Sequence, residues 1–98
     1  MEVDKIIMEI VRIVDTNIGG GARVLLFGSH AKGTETAVSD IDIAIDAGDI
    51  LGFETFIKIK EAVGEIPTLR SIDIVDFNDI GESLKNSILK NSKEICMK

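Results

Sequence analysis

Apolar residues near the start of the chain recur at spacings of three and four positions. Charged residues such as Glu9 and Arg12 fill the positions between them. This period is typical of an amphipathic helix, and it predicts a first helix from Val3 to about Ile18. A run of glycines at positions 19–21 follows. Glycine disfavours helix and readily adopts the left-handed conformation, so we expect this run to end the helix and connect it to a strand.

Three shorter segments have the pattern of strands. Arg23–Phe27 is an apolar run that stops at Gly28, which indicates a buried strand followed by a tight turn. The segment from Asp40 to Asp46 alternates strictly, with isoleucines at 41, 43 and 45 on one face and mainly aspartates on the other. The segment from Ser71 to Phe77 repeats the Ile-Asp-Ile motif and is predicted to be the third strand.

The remaining segments complete an α/β fold. Asp49 is expected to be the N-cap of a second helix that runs to about Val63. A last helix is expected from about Asp79 to Lys90, and residues 94–97 are expected to form a short edge strand. Elements in this order predict a small mixed β-sheet with helices packed on one face. The open face of the sheet would then hold the aspartates of the strands.

Composition narrows the class of protein. With 98 residues, 45% hydrophobic and 29% charged, the chain is expected to be one domain over residues 1–98. Its net charge of -6 would repel a nucleic-acid backbone, so a protein partner or a small substrate is favoured over nucleic acid. The single cysteine, Cys96, leaves no internal disulfide. Because there is no signal-peptide pattern and no apolar run near the roughly 20 residues of a membrane span, we expect a cytoplasmic protein.

Two features of the strands point to phosphate and metal chemistry. Gly28 and Ser29 follow a buried strand, where exposed backbone N–H groups would suit a phosphate. Asp40 and Asp42 stand roughly 7 Å apart on one face of the next strand, and Mg²⁺ prefers such hard oxygen ligands. Asp73 is expected on the same face if the isoleucines beside it enter the core. A phosphate turn next to a magnesium site suggests a nucleoside triphosphate, and the alternative is a strand face that is merely acidic and solvated.

Two stretches of the chain resemble the signature of the DNA polymerase beta-like nucleotidyltransferase superfamily. They are residues 27–33, FGSHAKG, and residues 39–45, SDIDIAI. At this length the chain is similar to the minimal nucleotidyltransferase (MNT, MntA-type) antitoxins, which are usually encoded beside a HEPN-domain toxin. The resemblance implies a nucleotidyltransferase fold, two Mg²⁺ ions and ATP as substrate.

The resemblance also implies roles for individual residues. Asp40 and Asp42 would bridge the two Mg²⁺ ions. Asp73 would complete the shell of the second ion and orient, or accept the proton from, the acceptor hydroxyl. Gly28 would let the backbone approach the β and γ phosphates, and Ser29 would hydrogen-bond them.

Three further polar residues lie near these positions. His30 is expected to be a surface or phosphate contact, and Lys32 either neutralises phosphate charge or stays solvated. Family members commonly have Arg where this chain has His30 and Lys32, so a bidentate guanidinium contact to phosphate would be absent or replaced by a point charge. Asp46 lies roughly 13 Å from Asp40 along the strand, out of reach of the same ion, and is expected to cap the strand end.

Three functional classes fit these residues. The first is an enzyme that transfers AMP from ATP to a protein hydroxyl, which the resemblance implies is a tyrosine of the HEPN toxin. The second is an antitoxin that inhibits its toxin by binding alone. The third is a nucleotidyltransferase module acting on a small molecule such as an aminoglycoside. That third class normally has a second domain to hold the acceptor. Because this chain is expected to be a single domain, the first class is favoured.

Overall fold

The computed structural model describes residues 3–28 and 40–95, and it begins with the expected amphipathic helix, α1 (Val3–Ile18). The buried residues of α1 are Ile6, Ile7, Ile10, Val11, Ile13 and Val14. The helix ends at the predicted glycine run, where Gly19 has a left-handed φ of 92°. The Gly19 amide donates to the Asp15 carbonyl oxygen at 2.8 Å. Because glycine adopts this conformation without strain, the chain can turn here toward the first strand.

The described residues after α1 contain four strands and three helices, and the four strands form one mixed sheet. In chain order the elements are β1 (Arg23–Phe27), β2 (Ile41–Asp46), α2 (Phe53–Gly64), β3 (Ile72–Asp76), a 3-10 helix (Phe77–Asp79), α3 (Glu82–Asn91) and β4 (Lys93–Ile95). The strand order across the sheet is β3-β2-β1-β4. Strand β1 pairs antiparallel with β2 and β4, whereas β2 and β3 are parallel. The predicted mixed sheet and its α/β class are therefore confirmed.

One face of the sheet packs against α1 and α2 and forms the main core. Strand β2 lies in the middle of this layer, and its three isoleucines are completely buried. The strand residues of this core are Val24, Leu26, Ile41, Ile43, Ile45 and Ile74, and α2 adds Ile59 and Val63. The strict alternation of β2 therefore gives the side-chain directions expected from the sequence.

The opposite face of the sheet has a second, smaller apolar cluster. It consists of Leu25, Ala44, Phe77 and Ile88. Since Ile88 belongs to α3, this helix packs on the face opposite to α1 and α2, whereas the sequence predicted that all helices would pack on one face. Ala44 gives the physical reason, because it is a small, completely buried residue between Asp42 and Asp46 on the acidic side of β2. A methyl group at that position leaves space for the isoleucine of α3.

Helix α3 is held mainly by its single buried residue. Ile88 is 1% exposed. The helical spacing of the apolar residues in this segment predicts that Leu84 and Leu89 are buried as well, but they are 41% and 59% exposed. A short helix with one buried anchor covers only part of the sheet face, so the strand ends beyond it remain open to solvent.

Helix α2 starts later than the sequence predicts. Asp49 is not its N-cap, because the cap is Gly52, which makes no side-chain hydrogen bond. The Asp49 carboxylate instead accepts from the Ile50 amide at 2.7 Å. The Leu51 amide donates to the carboxylate of the buried Asp76 at 2.7 Å, which ties the start of α2 to the end of β3.

Asp46 is a structural residue at the end of β2, as predicted. Its carboxylate accepts hydrogen bonds from the Arg23 guanidinium at 2.6 Å, from the Gly48 amide at 2.9 Å and from the Asn78 side-chain amide at 2.9 Å. A second carboxylate, that of Glu94, lies 3.5 Å from Arg23. These contacts join β1, β2, β4 and the 3-10 helix at one end of the sheet. None of the described helices is long and apolar enough to cross a membrane.

Because the isoleucines of β2 are buried, we expect the fold to be sensitive to their replacement by smaller side chains. Ile43 is completely buried, whereas the Leu69 side chain is fully exposed. We expect Ile43→Ala to lower the free energy of unfolding by about 2–5 kcal/mol, because it leaves a cavity in the core. The matched control, Leu69→Ala, should change it by less than about 0.5 kcal/mol. Urea denaturation of both variants measures the difference, and equal effects would contradict this assignment of the core face.

Because of the hydrogen bonds to Asp46, we expect the free energy of unfolding to decrease in acid. Burial raises the pKa of Asp46, but the hydrogen bonds from Arg23, Asn78 and Gly48 and the charge of Arg23 outweigh burial, so its pKa is lowered from the usual 3.8. A carboxyl with a lowered folded-state pKa stabilises the fold fully above its unfolded-state pKa. That contribution is lost as pH falls through the folded-state pKa.

The test is urea denaturation of the wild type and of Asp46→Asn between pH 5 and pH 2. As pH falls below about 4, the region of the unfolded-state pKa, we expect the urea midpoint of the wild type to fall more steeply than that of Asp46→Asn. Asp79→Asn, at an exposed carboxylate, is the matched control and should keep the wild-type slope. A wild-type slope in Asp46→Asn would show that these hydrogen bonds do not stabilise the fold.

Candidate active site

Two of the predicted site residues lie side by side on neighbouring strands. Asp42 of β2 and Asp73 of β3 are direct partners in the parallel pairing of these strands. Adjacent strands are about 4.8 Å apart, so the two side chains emerge next to each other. Both lie on the face opposite to the α1 and α2 core, with Asp42 half-buried and Asp73 exposed. The structure therefore brings together carboxylates that are 31 positions apart in the sequence.

The pairing of β1, β2 and β3 arranges this face in rows that run across the strands. The first row, which we call the site row, contains Phe27, Asp42 and Asp73. The second, the apolar row, contains Leu25, Ala44 and Val75. Beyond the apolar row lies the pair formed by Arg23 and Asp46. Asp46 thus shares the face of Asp42, but its hydrogen bonds and the intervening apolar row separate it from the site.

Asp40 lies immediately before β2 and is exposed. The next residue, Ile41, donates its amide to the Ser71 carbonyl oxygen at 2.9 Å, at the beginning of β3. Because β2 and β3 are parallel, Asp40 is therefore at the same end of the sheet as the site row. The described geometry places Asp40 near Asp42 and Asp73 without showing a contact between the three carboxylates.

Gly28 is the first residue after β1, and it lies directly against Asp42. Its φ of 75° is left-handed, so the chain leaves the strand direction at this point. A Cβ atom at this position would lie 2.3 Å from Oδ2 of Asp42. The predicted phosphate turn and the predicted metal ligand are therefore in contact. Ser29, His30 and Lys32 lie outside the described residues, and their contacts to phosphate stay predictions.

The carboxylates of the site row fit a Mg²⁺ ion that takes its other ligands from a nucleotide and water. Within residues 3–28 and 40–95, no three His, Cys, Asp or Glu side chains are close enough together to hold a metal ion by themselves. Asp42 and Asp73 provide hard carboxylate oxygens from two strands at one place. Mg²⁺ usually takes one or two protein carboxylates and fills its other positions with water and substrate phosphates. The site row matches that requirement, with a nucleotide as the source of the remaining ligands.

The site also has an apolar part that the sequence motifs do not indicate. Phe27 is the direct partner of Asp42 across β1 and β2, and Val75 follows Asp73 on the same face of β3. Both are half-buried and pack against the cluster around Ala44 and Phe77. Their position could have been found from the alternation of β1 and β3, but only the strand pairing shows that they border the carboxylates.

A cavity of about 380 Å³ lies at the other edge of the sheet, between α1 and β4. Asp15, Arg23 and Glu94 are among the residues that line it. Arg23 is bound there by Asp46 and lies near Glu94, so these charges serve the structural contacts at the sheet end. The cavity contains neither the carboxylates of the site row nor Gly28, and we therefore assign the site from donor chemistry and not from cavity size.

Comparisons with known proteins identify the family to which the chain belongs. The family model "Polymerase beta, Nucleotidyltransferase" matches residues 7–98. The chain is 29% identical over 91 residues to the protein adenylyltransferase MntA of Shewanella oneidensis, covering 89% of this chain and 62% of MntA. This chain therefore spans less than two thirds of the length of that relative.

Solved structures show the same fold. A toxin–antitoxin structure with AMP-PNP superposes with a TM-score of 0.73 at 25% identity, covering 93% of this chain and 73% of that chain. A structure of the tri-AMPylated Shewanella oneidensis HEPN toxin in complex with its MNT antitoxin gives a TM-score of 0.70 at 21% identity, with 97% and 72% coverage. The family model covers nearly the whole chain, and the predicted resemblance is confirmed. The chain belongs to the polymerase beta nucleotidyltransferase family.

Proposed function

We propose that this chain is the antitoxin of a HEPN/MNT toxin–antitoxin pair and transfers AMP from ATP to a tyrosine hydroxyl of its toxin. The observation that supports this most is the site row, where two carboxylates lie side by side next to the Gly28 turn. The related proteins support the same reaction, because one is named a protein adenylyltransferase, one structure contains AMP-PNP and one contains an AMPylated HEPN toxin.

The carboxylates would hold two Mg²⁺ ions together with the triphosphate. Asp40, Asp42 and Asp73 would hold these ions, with phosphates and water as the remaining ligands. The ions would neutralise phosphate charge and lower the pKa of the acceptor hydroxyl. Next to the Asp42 carboxylate, Gly28 would allow close backbone approach of the phosphates, and Ser29 would hydrogen-bond them. His30 and Lys32 would supply positive charge as points rather than as a planar guanidinium fork.

The proposed transfer forms one bond to the α-phosphorus of ATP and breaks another, and a residue of this chain accepts the proton that is released. The tyrosine oxygen attacks the α-phosphorus of ATP and forms the new O–P bond, while the bond from the α-phosphorus to the bridging oxygen breaks. Pyrophosphate leaves with that oxygen. The phenol proton passes to the Asp73 carboxylate, which is exposed and can return it to water. Asp73 is therefore the proposed general base.

The apolar part of the face favours an aromatic acceptor. Phe27 borders Asp42 within the site row, and Val75 follows Asp73 in the apolar row. A tyrosine ring can pack on this surface with its hydroxyl at the carboxylates, since aromatic side chains combine an apolar body with a polar tip. An aminoglycoside, which is polar and cationic, gains nothing from it. The net charge of -6 favours a toxin with a basic patch, so the association rate should fall as salt is added.

Metal dependence of nucleotide binding tests the carboxylate assignment. The triphosphate and the acidic row repel each other unless cations lie between them. We expect the affinity for ATP, measured by calorimetry, to be about tenfold or more weaker in EDTA than in Mg²⁺. Asp42→Asn should lose most of this gain, whereas Asp79→Asn should keep it. Equal wild-type affinity in both buffers would contradict a metal site at these residues.

Loss of the proposed base tests the reaction. We expect a HEPN toxin incubated with ATP, Mg²⁺ and this protein to gain the mass of one or more AMP units by mass spectrometry. Asp73→Asn should slow this by about 10²-fold or more, because it removes the proton acceptor. Asp79→Asn is the matched control, an exposed carboxylate outside the site, and should transfer at the wild-type rate.

The other functional classes give different outcomes in the same experiment. A toxin that is neutralised without gaining mass would favour an antitoxin that acts by binding alone. AMP transfer to an aminoglycoside but not to the toxin would favour a small-molecule enzyme. Either result would overturn the proposed acceptor.

A further inference from the structure

We propose that Gly28 is a positioning residue for Asp42, so that the absence of a side chain at position 28 serves the metal ligand as well as the phosphates. This inference rests on the proposed function only for its catalytic consequence. The contact itself is geometric. A Cβ atom at position 28 would lie 2.3 Å from Oδ2, 3.2 Å from Cγ and 3.5 Å from Cβ of Asp42. All three nearest atoms belong to that one side chain.

The left-handed backbone conformation alone does not explain the glycine. Gly19 and Gly48 also have positive φ values, of 92° and 87°, and a Cβ atom at either position would meet nothing within 4 Å. Residues other than glycine, notably asparagine, adopt that conformation at open positions with modest strain. Among the described glycines, Gly28 is distinguished by a Cβ position that collides with another side chain. The requirement at position 28 is therefore steric as well as conformational, and the colliding group is the Asp42 carboxylate.

The strand pairing explains how the contact arises. Phe27, the last residue of β1, is the direct partner of Asp42. If the chain continued as a strand, position 28 would stay in the ladder beside β2. The left-handed φ instead turns the backbone of Gly28 onto the Asp42 carboxylate. The start of the phosphate turn thus forms one wall around the proposed metal ligand.

This contact has a chemical consequence for the site. A methyl group at position 28 cannot coexist with the present position of Oδ2, so the Asp42 side chain would have to rotate or shift. Metal ligands and reacting groups tolerate displacements of only about 0.5 Å before function falls. The absence of a side chain at Gly28 therefore leaves room for the orientation that Asp42 adopts beside Asp73.

A double-mutant cycle of stability tests the contact without metal or substrate. Gly28→Ala should lower the urea midpoint of the wild type, and it should lower the midpoint of Asp42→Ala by clearly less, because the colliding carboxylate is gone. Gly48→Ala is the matched control, with the same backbone strain and open space. It should lower the midpoint equally in both backgrounds. Equal effects of Gly28→Ala in both backgrounds would overturn the contact.

Metal binding tests the positioning role. Mn²⁺ is the probe, and its affinity is measured by electron paramagnetic resonance, first without nucleotide and then with AMP-PNP as a source of phosphate ligands. We expect Gly28→Ala to bind Mn²⁺ about 10–100-fold more weakly, the usual effect of disturbing a group that orients a ligand. Gly48→Ala should bind it as the wild type does. Wild-type Mn²⁺ affinity in Gly28→Ala, together with loss of ATP affinity, would overturn the proposal and leave Gly28 a phosphate contact only.

The outcomes also separate this inference from the proposed function. If the wild type binds Mn²⁺ but transfers AMP to no acceptor, the proposed reaction fails while the role of Gly28 still stands or falls on the two measurements above. If the wild type binds no Mn²⁺ either with or without AMP-PNP, the metal assignment and the positioning role both fail. The stability cycle then decides only whether the contact exists.

Discussion

The pairing of β2 with a strand on each side is the constraint on which the rest of the structure depends. Its three isoleucines are completely buried against α1 and α2, so the alternate side chains must emerge on the other face. A slip of one residue in either pairing would move those isoleucines to solvent and the aspartates into the core. The free energy of burying the core therefore also fixes the position of Asp42.

The same face shows how different neighbours give aspartates different roles. Asp46 is hydrogen-bonded by Arg23, Gly48 and Asn78, and its pKa is lowered, because these contacts outweigh its burial. Asp73 is exposed and stands beside another carboxylate. Placing two like charges side by side costs stability, and such unfavourable arrangements are typical of functional sites. The Arg23 and Asp46 pair stabilises one end of the sheet, while the acidic pair at the other end forms the proposed site.

Helix α3 covers part of the sheet face on which the proposed site lies. It packs on the site face through Ile88 and covers the cluster around Ala44, which leaves the site row at the uncovered end of the strands. Among the residues that the structure describes, Asp73 is exposed, and the half-buried Phe27 and Val75 border the carboxylates. The proposed acceptor, a residue of another protein, would bring its own contact surface to this face.

The sequence alone determined the main helices and strands and the faces on which their side chains lie, because both depend on local periodicity. It located α1, the three main strands and the end of α1 at Gly19, and it placed Asp42 and Asp73 on the face away from the isoleucines. The family signature in residues 27–33 and 39–45 gave the family itself, which a match over residues 7–98 confirms.

Tertiary structure decided what depends on contacts distant in sequence. The partnership of Asp42 with Asp73, the side of the sheet on which α3 packs and the tie from Leu51 to Asp76 have no local pattern. The same holds for the steric role of Gly28, which the sequence assigned to phosphate alone. Only the pairing of β1 with β2 brings position 28 against Asp42, because side-chain direction is a property of one strand but proximity is a property of two.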